Sequence, residues 1–241
     1  MTLPTVQTLY GVTGATWPAA SVARVGPWTI RAGMGGGSRV SAATAEGPFS
    51  VDDLAAAQAA MTALGQPSQF MIRAGEAALD TLLAGQGYSI KDPVNLYAAP
   101  VAALTTHRPP PVTSFQVWPP LAAQAEIWTA GGIGPARLAV MDRAPQPKTT
   151  LLGRIGERPA GTVYIGIHAG IAMIHALEIL PAYRRRGLAR HLMHAAGFWA
   201  ADHAATHLSL IVTQANAGAN ALYASLGLTL VGQYHYRILP E

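Results

Sequence analysis

Residues Arg184 to Ala189 read Arg-Arg-Arg-Gly-Leu-Ala and lie between two segments of different periodicity. The apolar run before them, Met173 to Leu180, has the length and composition of a β-strand. Pro181 ends that strand, because proline has no N–H to donate to a sheet ladder. The chain must therefore leave the strand and enter the next element within a few residues.

The next element is predicted to be an amphipathic helix. Apolar residues recur at three- to four-residue intervals from Leu188 through Leu192 to Trp199, and this pattern predicts a core-facing helix that ends near His203. The first turn of a helix has N–H groups without helical partners and the positive end of the helix dipole. Gly187 has no Cβ to keep a ligand away. The junction is therefore predicted to hold an anion such as phosphate.

The spacing of this turn distinguishes it from two common phosphate loops. Neither Gly-x-x-x-x-Gly-Lys-Ser/Thr nor Gly-x-Gly-x-x-Gly occurs in the chain. The pattern present, from Arg184 to Ala189, is Arg-x-x-Gly-x-Ala. It resembles the pyrophosphate loop of the GNAT superfamily of acetyl-CoA-dependent N-acetyltransferases, in which Gln or Arg, Gly, and Gly or Ala occupy these positions. For this motif alone, a solvated arginine-rich turn remains the alternative interpretation.

A second motif follows the predicted helix. His207 to Val212 is predicted as a strand, and Asn216 to Gly227 as a short helix that ends at its glycine. Asn216 and Tyr223 are seven residues apart, about two helical turns, so they lie on one face. The pattern Asn-x-x-Ala-x-x-Leu-Tyr-x-x-x-Gly is similar to the second half of the GNAT acetyl-CoA site. Leu228 departs from it, because the family more often has Phe after this glycine.

The order of the predicted elements also resembles that family. Strand, loop, helix, strand, helix and a final strand, Leu230 to Ile238, follow one another over about 70 residues. Before them, Leu151 to Glu157 and Gly161 to His168 are predicted as a hairpin, preceded by a helix at 121–128 and a strand at 137–141. The resemblance covers residues 113–241 as a catalytic domain. It implies the α/β (α+β) GNAT fold, a mixed and mostly antiparallel twisted sheet flanked by helices.

The segment 1–112 is predicted to be a smaller unit of its own. His107 to Thr113 contains three consecutive prolines and is predicted as a stiff linker. The pattern before it predicts helix, strand, helix and strand, which resembles the tail of a GNAT domain. We therefore expect a degenerate GNAT-like half-domain at 1–112. Its three consecutive glycines, Gly35 to Gly37, are predicted as a hairpin turn rather than a phosphate cradle.

Composition agrees with a compact soluble protein. Half of the 241 residues are hydrophobic and 12% are charged, so the chain has ample core-forming residues. The net charge of +4 is modest for this length, and the cluster Arg184 to Arg186 is explained locally by a cofactor with several phosphates. No nucleic-acid partner is expected. The apolar stretch 164–180 includes two histidines and a glutamate, with Gly170 near its middle, so it predicts sheet strands and no membrane span.

Two further classes are disfavoured by residue type. The absence of cysteine excludes disulfides, thiolate zinc sites and a cysteine acyl-enzyme. The histidine pairs His191/His194 and His203/His207 have no His-Glu-x-x-His pattern or third ligand, so we expect no metal. The chain has no secretory pattern of a cationic region followed by an apolar run, and a cytoplasmic location is the expectation.

The GNAT resemblance implies roles for particular residues. Backbone groups of Leu177 and Ile179 would pair with the pantetheine arm where the sheet splays apart, and Asn216 would contact the same arm. The turn would hold the pyrophosphate through its backbone N–H groups and its arginine side chains. The remaining cofactor-binding residues are therefore those of the turn: Arg184, Arg185, Arg186, Gly187, Leu188, Ala189 and Arg190. Tyr223 would protonate the leaving thiolate.

The general base is left open by the sequence. Glu178 and His175 lie on the strand nearest the reaction centre, but strand alternation turns Glu178 away from Leu177 and Ile179. We retain Glu178 and Tyr223 as the catalytic candidates, with a water-relayed deprotonation as the alternative to a side-chain base.

The resemblance implies an acetyl-CoA-dependent N-acetyltransferase that acts on a primary amine of a small molecule or protein by direct transfer in a ternary complex. The alternative from another class is a non-catalytic acyl-CoA-binding or sensor module. A basic nucleic-acid-binding protein is the third hypothesis. The acceptor and the presence of a homodimer stay open at this stage.

Overall fold

The computed structural model describes residues 2–240. The α-helices are α1 (Val6–Thr16), α2 (Ser38–Ser41), α3 (Asp52–Ala63), α4 (Ala77–Gly85), α5 (Ala122–Ala130), α6 (Pro135–Arg143), α7 (Leu188–Asp202) and α8 (Ala217–Ser225). The β-strands are β1 (Ser21–Val25), β2 (Trp28–Ala32), β3 (Thr44–Ala45), β4 (Gln69–Ile72), β5 (Ser89–Pro100), β6 (Ser114–Val117), β7 (Lys148–Ile155), β8 (Arg158–His168), β9 (Ile171–Ile179), β10 (His207–Thr213) and β11 (Thr229–Ile238). Within this described range, no helix combines the length and the hydropathy that crossing a bilayer requires.

The strands form two sheets. A small sheet has the order β1-β2-β3, and an eight-stranded sheet has the order β4-β11-β5-β10-β9-β8-β7-β6. In the large sheet β9 and β10 run parallel, whereas the other paired neighbours run antiparallel. The predicted mixed, mostly antiparallel sheet flanked by helices is therefore confirmed.

Strand β5 joins the first part of the chain to the last. It lies between β10 and β11 and pairs with both of them, although it precedes the proline-rich segment at 107–113. The proline segment itself contains no helix or strand, as its composition predicts. The boundary between residues 112 and 113 stays a prediction, but a cut there would remove a strand from the interior of the large sheet.

Helices cover both faces of the large sheet. On one face α7 buries Leu188, Leu192 and Trp199 against β8, β9 and β10, which explains its apolar stripe. On the other face α1 packs Leu9 and Val12 on β5, β9 and β11. Helices α5 and α6 extend that second layer with a separate cluster around Trp128. The part of the sheet that contains β9 and β10 is therefore covered by helices on both faces.

Two local predictions are wrong. Arg137 to Met141 lies inside helix α6 and is not a strand, because Gly134 at the N-cap and Pro135 in the first turn start a helix there. Gly35 to Gly37 does not form a hairpin turn, because the glycines lead into the single-turn helix α2 with Gly37 as its N-cap. Helix α1, whose threonine-rich sequence has a weak apolar pattern, was not predicted.

Leu96 tests whether β5 is an integral part of the fold. Leu96 is fully buried, whereas Ile90 on the same strand is 54% exposed. We expect Leu96→Ala to lower the free energy of unfolding by about 2–5 kcal/mol, because it leaves a cavity in the α1-facing core. The matched control Ile90→Ala should cost about 0.5 kcal/mol or less. Denaturant unfolding should show a single transition that shifts as a whole in Leu96→Ala, and a second transition left in place would contradict the interlocked sheet.

Candidate functional site

The strands β9 and β10 separate in the middle of the sheet. They pair from His207 opposite Ile171 to Leu210 opposite Ile174, and beyond that point each strand continues without pairing to the other. On its other side β9 carries a bulge, because two residues, Ala176 and Leu177, lie opposite the single residue Val163. The bend of the bulge opens a gap between two adjacent strands.

The bulge is held by a specific hydrogen bond. Ala176 has a φ of +52°, a conformation that alanine rarely adopts. The indole N–H of the fully buried Trp128 donates to the Ala176 carbonyl at 2.7 Å, so that carbonyl stays satisfied although it has left the regular ladder. Helix α5 therefore fixes the point at which the strands diverge.

The backbone of Ile179 faces the gap. The Leu180 N–H donates to the Ala160 carbonyl at 2.9 Å, which makes these two residues a hydrogen-bonded pair. Because such pairs alternate along an antiparallel ladder, the N–H and C=O of Ile179 point away from β8 and toward the gap. Arg184 Nε donates to that carbonyl at 3.0 Å. The side chains of Leu177 and Ile179 pack on the α7 side of the sheet.

The turn after β9 presents a row of free backbone donors. From Arg185 to Arg190, none of the six consecutive N–H groups has an acceptor among the described residues. Arg185 and Gly187 both adopt left-handed conformations, with φ values of +60° and +83°. Alternation of this kind curls successive N–H groups into a concave anion-binding nest at the start of α7. A Cβ on Gly187 would meet only His191 at 3.8 Å, so backbone conformation and ligand access favour glycine here more than crowding does.

The arginine side chains of the turn point in different directions. Arg184 forms an ion pair with Glu178 at 3.1 Å, and Arg190 donates to the hydroxyl of Ser225 on α8 at 2.7 Å. Arg185 and Arg186 are exposed, and the Arg186 guanidinium lies 5.9 Å from the ring centre of Tyr183. The nest is thus surrounded by positive charge, although Arg184 is turned back toward β9.

Helix α8 places Asn216 and Tyr223 at its two ends. The Asn216 side-chain oxygen accepts from the Ala219 N–H at 3.1 Å and caps the helix. Tyr223 is buried in the α7-side core with its ring centre 6.2 Å from that of Tyr97, and burial raises its pKa to about 12. Sequence reasoning missed Asn220, whose oxygen accepts from both Tyr97 and Asn95 and so ties α8 to β5.

Glu178 lies on the opposite side of the sheet from Leu177 and Ile179, as strand alternation predicts. A Cβ on Gly131, the C-cap of α5, would come within 2.6 Å of the Glu178 carboxyl carbon. The Glu178 side chain is 18% exposed and holds the ion pair with Arg184. Glu178 therefore lies between the end of α5 and the turn.

A small cavity adjoins the divergence on the α1 side. It has a volume of about 220 Å³ and includes Ala176 and Thr213, one from each diverging strand. The polar and aromatic residues around it come from segments far apart in the chain: Trp17, Arg39, Asp92, Arg137, Tyr234 and Tyr236. We call it the Arg39 cavity. No local pattern in the sequence signals it, because its residues meet only through the packing of α1, α2, α6, β5 and β11.

His175 holds Arg39 at this cavity and is itself neutral. Thr16 donates its hydroxyl hydrogen to the Val12 carbonyl, so it accepts from His175 Nε2 at 2.8 Å. That tautomer leaves Nδ1 to accept from the Arg39 guanidinium at 2.9 Å. Burial, and then the charge of Arg39, lower the pKa of His175 well below its usual value. With both ring nitrogens engaged, His175 is a positioning residue rather than a free base.

The other histidines show no metal arrangement. His194 Nδ1 contacts the Leu104 carbonyl at 2.9 Å, and His203 Nδ1 contacts the Trp199 carbonyl in the last turn of α7 at 2.8 Å. Among residues 2–240, no three His, Cys, Asp or Glu side chains are grouped as metal ligands would be.

Comparison of the sequence and the fold with known proteins identifies a family that they resemble. Residues 114–228 match the model of the family described as Acetyltransferase (GNAT) family. The chain is 24% identical over 237 residues to the uncharacterized N-acetyltransferase YobR of Bacillus subtilis (strain 168), which covers 93% of this chain and 94% of that protein. A GCN5-related N-acetyltransferase from Kribbella flavida has a TM-score of 0.73 at 18% identity, over 99% of this chain and 97% of that one. A tandem GNAT protein from the clavulanic acid biosynthesis pathway has a TM-score of 0.60 at 11% identity, over 83% and 76%.

Residues 114–228 therefore match the GNAT family of acetyltransferases, and the fold is a GNAT fold. The resemblance identified from the two sequence motifs is confirmed. This match supports N-acetyltransferase activity in general terms.

The neutral state of His175 predicts how stability depends on pH. Below about pH 6.5 the unfolded chain protonates His175 while the folded chain does not, so stability falls as pH decreases. This residue alone contributes a slope of up to about 1.4 kcal/mol per pH unit. Between pH 6.5 and 5, His175→Gln should lose stability less steeply than the unsubstituted protein. The exposed His168→Gln is the matched control for the loss of a histidine, and equal slopes in the unsubstituted and His175→Gln proteins would contradict a neutral His175.

Proposed function

We propose that the protein is an acetyl-CoA-dependent N-acetyltransferase that moves an acetyl group to a primary amine of a small molecule or protein by direct transfer in a ternary complex. The observation that carries this proposal is the row of six unpartnered N–H groups, Arg185 to Arg190, next to the gap between β9 and β10. A nest and a free strand edge at one site fit a ligand with a pyrophosphate and an amide-containing arm.

The nest fits the pyrophosphate by geometry and charge. Its donors converge at the N-terminus of the fifteen-residue helix α7, where the helix dipole favours an anion. The side chains of Arg185, Arg186 and Arg190 are exposed around it, so they are available to phosphate oxygens. Arg184 is expected to contribute chiefly by holding the turn to Ile179 and Glu178.

The gap fits the pantetheine arm as an added strand. Ile179 directs a backbone N–H and C=O into it, and an extended arm with amide groups can pair there as a β-strand would. The amide nitrogen of Asn216, whose oxygen is occupied by the α8 cap, remains available to the same arm. Acetyl-CoA bound in this way would supply an acetyl group activated as a thioester.

Tyr223 is suited to be the general acid. Burial raises its pKa to about 12, so the phenol keeps its proton at neutral pH and can give it to a leaving thiolate. Tyr223 and the side chains of Leu177 and Ile179 belong to the same α7-side core, which is the side of the sheet proposed for the donor.

Glu178 is the proposed proton acceptor for the incoming amine. Its carboxylate lies on the α5 side of β9, next to the bulge, and Arg184 holds it in place. Transfer through a water molecule is the alternative to direct contact with the amine. His175 is unsuited to this role, because both of its ring nitrogens are engaged in hydrogen bonds.

Gly187→Glu tests the donor site. We expect acetyl-CoA to raise the melting temperature of the unsubstituted protein, because it binds the folded state. Gly187→Glu should abolish that shift by blocking the nest and repelling phosphate. Gly87→Glu is the matched control, because Gly87 has a φ of +82°, against +83° at Gly187, and likewise has room for a Cβ. Both variants should lose similar stability from backbone strain, but only Gly87→Glu should keep the acetyl-CoA shift. Equal shifts in both variants would remove the loop assignment.

Tyr223→Phe tests the acid and separates the enzyme from a non-catalytic acyl-CoA-binding module. The variant should bind acetyl-CoA with nearly unchanged affinity and lower the acyl-transfer rate by about 10²- to 10⁴-fold in single-turnover measurements. Tyr97→Phe removes the neighbouring buried hydroxyl and should leave that rate nearly unchanged. An unaltered transfer step in Tyr223→Phe would make Tyr223 a packing residue. Tight acetyl-CoA binding without release of CoA in the presence of any amine would favour the binding module.

A further inference from the structure

The Arg39 cavity lies on the side of the divergence opposite the donor site. It reaches both separating strands at Ala176 and Thr213, whereas the nest and Tyr223 lie on the α7 side. A group that passes through the gap from the α7 side would therefore emerge at this cavity. The position makes it a candidate for the acceptor.

Two guanidinium groups at the cavity have no carboxylate partner. The ion pairs among the described residues use Arg73, Arg184, Arg237 and His235, and neither Arg39 nor Arg137 is among them. Arg39 Nε is buried without a hydrogen-bond partner, which is costly unless a ligand satisfies it. Arg137 makes no side-chain hydrogen bond to the described residues and lies close to Gly37, where a Cβ would be 3.4 Å from its guanidinium. Both groups are suited to an anion with two oxygens.

Arg39 is held in place before any ligand binds. His175 accepts from one of its terminal nitrogens at 2.9 Å, and the guanidinium lies 5.7 Å from the ring centre of Trp17. His175 is in turn stacked on Trp17, with ring centres 4.9 Å apart. A guanidinium fixed by neutral groups keeps its full charge for a ligand, and its fork is already oriented.

The cavity also contains a carboxylate. Asp92 is exposed and is absent from the ion pairs of the described chain. The cavity therefore combines two unpaired cationic groups with one unpaired anionic group, and aromatic side chains of Trp17, Tyr234 and Tyr236 form part of its wall. An ammonium and a carboxylate on one small molecule match that charge distribution.

A larger cavity on the other side of Arg39 and Tyr234 is a weaker candidate. Its volume is about 570 Å³, but apart from Arg39, which the two cavities share, its arginines are already satisfied. Arg31 donates to Ala42 and Thr44, and Arg73 pairs with Glu46 and Glu76. It also contains no residue of β9 or β10 at the divergence.

We propose that the Arg39 cavity binds the acceptor, and that the acceptor is a small amine that carries a carboxylate, of the α-amino acid class, with the carboxylate on Arg39 and Arg137 and the ammonium attracted by Asp92. The volume of about 220 Å³ is below the usual range for drug-sized ligands, which favours a molecule of this size. This inference rests on the proposed acetyl transfer and specifies its substrate class.

The test compares acids with their amides. Glycine, leucine, phenylalanine and glutamate, each as the free acid and as the α-carboxamide, are offered with acetyl-CoA, and release of CoA is measured. At least one acid should be acetylated with a kcat/KM roughly tenfold or more above that of its amide, since only the acid can accept charge-assisted hydrogen bonds through two oxygens. Arg137→Gln should raise the KM for that acid roughly 10- to 100-fold and erase the preference. Arg158→Gln removes an exposed charge elsewhere and should change neither, and the acetyl-CoA melting shift should be the same in all three proteins.

The outcomes separate the two proposals. Turnover of acids and amides at equal efficiency, or a preference that survives Arg137→Gln, would overturn the carboxylate inference and leave acetyl transfer standing. Acetyl-CoA binding with no turnover and no melting shift from any of the acids would overturn it as well. If acetyl-CoA itself fails to bind, the proposed function fails, and the carboxylate site is then judged by melting shifts alone. A melting shift with an acid that is absent with its amide and absent in Arg137→Gln would support the site. The absence of any melting shift would refute it.

Discussion

The separation of β9 from β10 is the constraint on which the rest of the site depends. If β9 and β10 stayed paired to their ends, they would leave no free backbone groups between them. The N–H and C=O of Ile179 would then be unavailable to a ligand. The separation is produced by the bulge at Ala176, whose left-handed conformation is unfavourable by itself. A single buried donor, the indole N–H of Trp128, compensates the carbonyl that the bulge displaces. Helix α5 thus determines where the sheet opens, although it contributes no predicted ligand-binding residue.

The two halves of the chain are joined at the same place. Strand β10 pairs with β5 along the full length of β10, so the strand on one side of the opening is supported by a segment that precedes the proline-rich linker. Helix α1 and the α2 region add Thr16, Trp17 and Arg39 to the opposite face. A sheet interlocked in this way couples the stability of the first half to the shape of the site, which a linker joining two independent domains would not do.

The elements that the sequence predicted correctly are those that depend on interactions within one segment of the chain. The turn and the two helices after β9 were predicted well, because Gly187, Asn216 and the apolar stripe of α7 act within their own segments. The segment 137–141 was mistaken for a strand although it lies in helix α6. Its five residues alone fit the period of a strand as well as that of a helix, and the signals that start the helix, Gly134 and Pro135, come before them. The Arg39 cavity could not be predicted, because Asp92, Arg137 and Tyr236 are brought together by tertiary packing alone. The insertion of β5 was missed for the same reason, since strand order depends on partners distant in sequence.

The opening between β9 and β10 divides the site into two sides with different chemistry, and the neutral His175 helps to keep them different. The α7 side offers backbone N–H groups and exposed arginines to a polyanion, whereas the α1 side offers one fixed guanidinium in a small aromatic cavity. A histidine on β9 that could take up a proton would place a second cation beside Arg39 and repel it. Burial and the charge of Arg39 both lower the pKa of His175, so at neutral pH the ring stays an acceptor for Arg39. The same neutrality removes His175 from acid–base chemistry, and the groups proposed for that role, Tyr223 and Glu178, lie on the two sides of the opening.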